Sequence, residues 1–307
     1  MKRPIGVVGG GSFGWSLVRA VARRGFPAVL WSRRPQAVLP EGVVATTEWA
    51  DLHAAELIFV AVPSVHVREV APDLGRNLDG RHLLVHVSRG LVGEDLLTVG
   101  RHLSVVTPCR RVGCLAGPIN PEVLASAAPG GGGIGTGFPA LARAVREALG
   151  GVELRLYETD DITGVEVASA LVGLLAMAAG FGLESRVSPA ALAVMTTRGL
   201  AEAARVGEAL GGRQETFFGM AGAGDLFAAV AGDERAEVRL GRALARNWDL
   251  QAAGKEAGAH IEGLTIARRV ASFATRMGVH APIATVIADV IDGEATPEEA
   301  LLRLMER

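Results

Sequence analysis

Six residues near the start of the chain, Gly9-Gly10-Gly11-Ser12-Phe13-Gly14, have the spacing G-x-G-x-x-G. Glycine makes up 40 of the 307 residues, so the spacing alone says little. Its context says more. The apolar run Pro4–Val8 precedes it, a helical pattern from Ser12 to Arg24 follows, and Ala28–Ser32 reads as a second strand. In that setting Gly9 permits a tight turn, Gly11 lets backbone approach a pyrophosphate, and Gly14 allows close helix–sheet packing. The first amides of the helix, at Ser12 and Phe13, and the positive end of its dipole then suit phosphate oxygens. The competing reading is a strand-to-helix turn that holds no ligand.

The end of the second strand narrows the choice of nucleotide. A carboxylate there binds a ribose 2′-hydroxyl, but the sequence is Trp31-Ser32-Arg33-Arg34, with no acid. Arg33 and Arg34 suit a 2′-phosphate by charge and by their fork of donors. NADP(H) is therefore expected, with NAD(H) as the alternative and a solvated turn as the plainer reading of both arginines.

Elsewhere the cationic chemistry falls to arginine. Of the 31 basic residues only Lys2 and Lys255 are lysines. Arginine holds a charge but, with a pKa above about 12, does not readily give up a proton at neutral pH. Lys255 reads as a solvated surface residue. His66, His86 and His260 could carry protons, and each has the competing reading of a strand-end or surface histidine. Asp225 closes a Gly-Ala-Gly-Asp turn, where it could serve a polar site or cap the helix after it.

The elements that must position these groups form two halves. Leu57–Val62 and Leu83–Val87 are further short apolar runs, and strands alternating with helical patterns predict a mostly parallel sheet. The periodicity turns helical after Tyr157, with Glu158-Thr159-Asp160-Asp161 as a helix start. The expected class is α/β: a Rossmann-type domain over residues 1–158, then an all-helical domain over 159–307. Thr296-Pro297-Glu298-Glu299 has the form of a capping box for a last helix. Pro129 is followed by four glycines, Gly130–Gly133, which predict a mobile or edge element.

Composition excludes several classes. A net charge of −2 gives no electrostatic case for nucleic acid or an anionic membrane. Cys109 and Cys114 have no metal-ligand spacing, no metal is expected, and a reduced cytoplasm is the expected compartment. The uncharged stretch Val167–Leu183 approaches the length of a membrane span, but its Ala/Gly content predicts a buried helix between two domains.

Taken in order, the motifs resemble those of the NAD(P)-dependent glycerol-3-phosphate dehydrogenases over nearly the whole chain. They are VVGGGSFG at 7–14, FVAVPS at 59–64, Gly117-Pro118, DDITGVEVASAL at 160–171, TTRGLAEAARVGEALGG at 196–212, ETFFGMAGAGDL at 215–226, IEGLTIA at 261–267 and GVHAPI at 278–283. The resemblance implies reduction of dihydroxyacetone phosphate to glycerol 3-phosphate, a step that feeds phospholipid synthesis. It adds Pro63 and Glu262 to the cofactor residues, assigns Gly117 and Arg239 to the substrate, and gives Arg89 and Asp225 catalytic roles. It also marks departures. A family lysine is replaced by Arg89, and the lysine that protonates the alkoxide, with the asparagine after it, is replaced by Val172-Gly173. The family's phosphate-clamping Ser-Arg-Asn-Arg run becomes Arg235-Ala236-Glu237-Val238, with only the next residue, Arg239, retained; Glu166 does match. Glu237 would repel a phosphate. The expectations are an oxidoreductase impaired on dihydroxyacetone phosphate or turned to another small phosphorylated or carbonyl substrate, with a homodimer as a possible assembly. The alternative is an inactive nucleotide-binding paralogue with a regulatory or partner-binding role; a structural protein on this fold sits poorly with the intact glycine loop.

Overall fold

The computed structural model describes residues 2–305 apart from 35–38, 127, 233–234, 247 and 259–261. The chain divides into two compact units: residues 1–88 with 97–162, and residues 89–96 with 163–307.

The first unit is built on an eight-stranded sheet in the order β3-β2-β1-β4-β5-β6-β7-β8. Its elements run β1 (Ile5–Val8), α1 (Ser12–Arg23), β2 (Ala28–Trp31), β3 (Val43–Thr46), β4 (Leu57–Val60), α2 (Ser64–Arg76), β5 (Leu83–His86), α3 (Val99–Val106), β6 (Arg111–Ala116), α4 (Pro121–Ser126), β7 (Gly130–Gly135), α5 (Pro139–Leu149) and β8 (Leu154–Thr159). Only the β6–β7 pairing is antiparallel. Every residue of β1, β4 and β5 is buried, as expected of parallel strands covered on both faces. The chain runs from β1 out to β2 and β3, then returns to β4 on the other side of β1. That reversal opens a crevice at the carboxyl ends of β1 and β4.

The glycine run does not lie at an edge, as its composition suggested. It forms β7, paired with β6 on one side and β8 on the other. Packing explains the glycines: a Cβ at Gly130 would sit 2.8 Å from Val123 Cγ1, and one at Gly132 would collide with Ile119. Bare backbone lets α4 and the residue pair before it lie directly on the strand. The expected helix start also shifts. Glu158 and Thr159 end β8, and helix begins at Ile162.

The second unit is helical: α6 (Ile162–Glu184), α7 (Pro189–Ala209), α8 (Asp225–Ala231), α9 (Ala236–Arg246), α10 (Leu250–Ala257), α11 (Glu262–Met277), α12 (Pro282–Asp292) and α13 (Pro297–Met305). It also takes in residues 89–96 from the segment after β5. The Ala/Leu-rich α6 is apolar almost all round and ends where Arg186 adopts φ 56°. Ser188 caps α7 by accepting from the Ala191 amide at 3.2 Å, with Pro189 in the first turn. Thr296 and Glu299 form the reciprocal capping box at α13. By length and composition α6 is the one helix among the described residues that could cross a membrane, yet 83% of that window is buried. Glu202, buried on α7, accepts from the Ile283 and Ala284 amides at 2.8 Å each and so caps α12.

The packing that matters most is α6 against α9. A Cβ on Gly180 would strike the Val238 carbonyl, and one on Gly241 would strike the Met177 carbonyl. Two glycines thus bring the helix backbones into direct contact, and this fixes where the first turn of α9 lies on α6. Gly241→Ala should force the helices apart and cost roughly 1–3 kcal/mol. The measurement is a melting midpoint, and an unchanged midpoint would contradict the close crossing.

Candidate active site

In the first unit the expected nucleotide residues gather at the carboxyl edge of the sheet. Gly9 has φ 117°, and a Cβ there would run into the Ala61 carbonyl after β4. Gly14 likewise lies against the Gly9 carbonyl. Both positions need glycine for the loop to close. Gly11 differs: nothing lies within 4 Å of where its Cβ would point, and it and Ser12 are exposed. No side chain caps α1. Its first amides, with Phe13 half-buried beside them, therefore suit a pyrophosphate, and the loop fits a dinucleotide. Pro63 starts α2 across the crevice from that loop. Arg33 and Arg34 are exposed on the bend after β2, where Trp31 stacks on Trp49 with ring centroids 3.6 Å apart. Gly117, with φ 108°, ends β6 at the same edge of the sheet. When bound, a nicotinamide cofactor supplies hydride chemistry.

In the second unit a buried charge cluster forms around Asp225. This residue follows a π-turn, Met220–Gly224, and opens α8, but it makes no cap bond to that helix. Its carboxylate, 4% exposed, meets Arg235 Nη1 at 2.7 Å and Arg89 Nη2 at 3.9 Å. Arg235 stands immediately before α9, with its side chain 7% exposed, and its Nε donates to Glu237 at 3.1 Å. Burial pushes the Arg235 guanidinium toward neutrality, but Asp225 and Glu237 outweigh it and hold it still more firmly charged than usual. Burial also pushes Glu237 up, and Arg235 with Arg89 outweighs that, holding its carboxyl below the ordinary range.

This cluster packs on α6 at Gly173. A Cβ there would lie 3.4 Å from Glu237 Oε1 and 3.8 Å from Arg235 Nη2. An asparagine at this position would have to displace the pair. Val172, beside it, is 1% exposed and contributes only hydrocarbon. One turn earlier on the same face Ser169 is 1% exposed, and Glu166 follows that face back to the start of α6.

The second unit thus brings Arg89 and Asp225 together and adds Arg235, a position that the sequence marks only as a departure from the phosphate-clamping run. The available signal was an Arg-x-Glu placed shortly after Asp225. Arg239 is not joined to them: it is exposed and donates to the Ala257 carbonyl at 3.2 Å. Glu262 is the first residue of α11, and its side chain, like the whole of His260, lies outside the described residues. His66 sits on α2, 3.5 Å from Glu69, and His86 is buried in β5, both in the first unit. Lys255 is exposed on α10, and both cysteines are buried and outside any disulfide.

Comparison with known proteins decides the family. The model described as NAD-dependent glycerol-3-phosphate dehydrogenase N-terminus matches residues 34–129, and that of the C-terminus matches 161–302. The NAD(P)+ glycerol-3-phosphate dehydrogenase of Dechloromonas aromatica is 34% identical, over 99% of this chain and 97% of its own. This chain belongs to the NAD-dependent glycerol-3-phosphate dehydrogenase family. The family member from Deinococcus radiodurans is 33% identical over 98% of this chain and 94% of its own. The crystal structure of the Coxiella burnetii glycerol-3-phosphate dehydrogenase covers 100% of this chain and 99% of its own, with a TM-score of 0.92 and 26% identity. As in the relatives, the cofactor is a nicotinamide nucleotide.

Within the cluster, removing the charge of Asp225 strands a buried guanidinium. Asp225→Asn should therefore lower the stability of the second unit by about 3–5 kcal/mol, read from denaturant unfolding followed by circular dichroism. A shift under half that size would mean the pair is not what holds α9 in place.

Proposed function

We propose that this chain is an NAD(P)H-dependent reductase of a small carbonyl compound, preferring NADPH and acting in the cytoplasm. We further propose that it turns over dihydroxyacetone phosphate much more slowly than its relatives. The observation that carries this reading is the pair of arginines around Asp225 beside a buried Val172-Gly173, in a second unit whose one lysine is exposed on α10.

Hydride delivery to a carbonyl carbon builds negative charge on its oxygen, which needs a cation or a proton donor within hydrogen-bond reach. Arg89 and Arg235 can supply the charge. Neither can supply the proton, because guanidinium stays protonated at any pH where the protein works. Val172 supplies neither. The proton then comes from water, and the gain from a positioned acid, about 10²–10⁴-fold, is missing. Support for a working enzyme comes from the glycine loop, whose open Gly11 and uncapped α1 amides are the features a dinucleotide uses.

Two measurements test this. NADPH oxidation with dihydroxyacetone phosphate should run about 10²–10⁴-fold below the rate of the relatives, while a panel of small ketones and aldehydes should contain a better substrate. A rate equal to the relatives' would refute the slow turnover. Calorimetric titration should also show NADPH binding more tightly than NADH, with Arg33→Ala weakening NADPH about tenfold and NADH little. Equal affinities in the unmodified protein would remove the preference.

A further inference from the structure

We infer that the substrate lacks a phosphate, being an uncharged hydroxyketone or hydroxyaldehyde, and that Glu237 is the residue that sets this. The inference rests on the carbonyl-reductase reading above and names its substrate class.

Two groups at the cluster point to a ligand. Arg235 Nη2 is buried and has no hydrogen-bond partner among the described residues. Ser169 Oγ, one helical turn before Gly173 on the same face of α6, is also buried and without a partner among them. A buried donor left unpaired is costly, and an acceptor in the site relieves that cost. The missing side chain of Gly173 leaves the room in front of Arg235 Nη2.

Charge decides what kind of acceptor fits. Arg89 and Arg235 are balanced within the chain by Asp225 and Glu237, so the four groups carry no net charge. Arg235 already has one carboxylate at its Nη1 and another at its Nε. A phosphate dianion placed at Nη2 would lie close to Glu237 Oε1, because both atoms face the same Gly173 position, at 3.8 and 3.4 Å. It would give up its hydration and find attraction and repulsion nearly cancelled. A hydroxyl or carbonyl oxygen can take the Nη2 and Ser169 groups without that penalty. Glu237 thus stands as a built-in anion where a charged substrate would have supplied its own. Reduction would balance with a bound nicotinamide as the source of hydride: the carbonyl carbon would gain the hydride and its oxygen a proton from water.

The experiment uses the full chain with bound NADP+ and titrates glycerol 3-phosphate by calorimetry into the unmodified protein, Glu237→Gln and Glu237→Asp. Removing the charge should tighten glycerol 3-phosphate about tenfold or more, the worth of one charge-assisted hydrogen bond, and Glu237→Asp should not. In the unmodified protein kcat/KM should be higher for dihydroxyacetone than for dihydroxyacetone phosphate. Micromolar binding of glycerol 3-phosphate by the unmodified protein, or no gain in a folded Glu237→Gln, overturns the inference. If Glu237→Gln does not fold, binding to the unmodified protein decides alone. Failure of every carbonyl compound to oxidise NADPH would refute the reductase reading, while the calorimetric comparison would still decide whether Glu237 excludes a phosphate.

Discussion

The buried ion pair between Asp225 and Arg235 is the interaction on which the second unit's chemistry depends. A guanidinium with 7% of its side chain exposed survives only because carboxylates lie at 2.7 and 3.1 Å. The same pair ties the turn before α8 to the start of α9, and through Arg89 it reaches the segment that follows β5. Because two acids neutralise two arginines, the cluster is rigid and without net charge.

Small residues make the arrangement possible. Gly180 and Gly241 let α6 and α9 touch backbone to backbone, and Gly173 leaves a gap that Glu237 and Arg235 line. Gly180 and Gly241 act together, since a side chain at either would strike the backbone of the other helix and move α9 away from α6. Gly173 on α6 and the Arg235–Val238 stretch at the start of α9 therefore face each other.

The first unit shows a different economy. Its nucleotide loop depends on backbone: Gly9 and Gly14 close it, Gly11 leaves it open, and the α1 amides are uncapped. The polar groups of this loop are backbone amides, held in place by the glycines at positions 9 and 14. The glycines of β7 serve packing instead, and this is where composition misled. A run of glycine looked like a weak edge, yet the strand is internal, paired with β6 and β8, and its glycines make room for Ile119 and Val123.

Taken alone, the sequence determined what local pattern determines. The glycine loop, the alternation of strand and helix, the apolar α6 and the capping box at α13 were all legible, because each depends on residues a few positions apart. Arg89 and Asp225 could be singled out as polar residues of interest from their motifs. What they touch could not. Arg89 and Asp225 are far apart in the chain, and Arg235, at the start of α9, meets Asp225 at the start of α8. Only the tertiary structure decided that Arg235 is buried and paired, that Arg239 is exposed and donates to the Ala257 carbonyl, and that Gly173 faces Glu237 and Arg235. The physical reason is that charge pairing and burial follow from how helices cross, and the crossing is set by contacts summed over the whole unit.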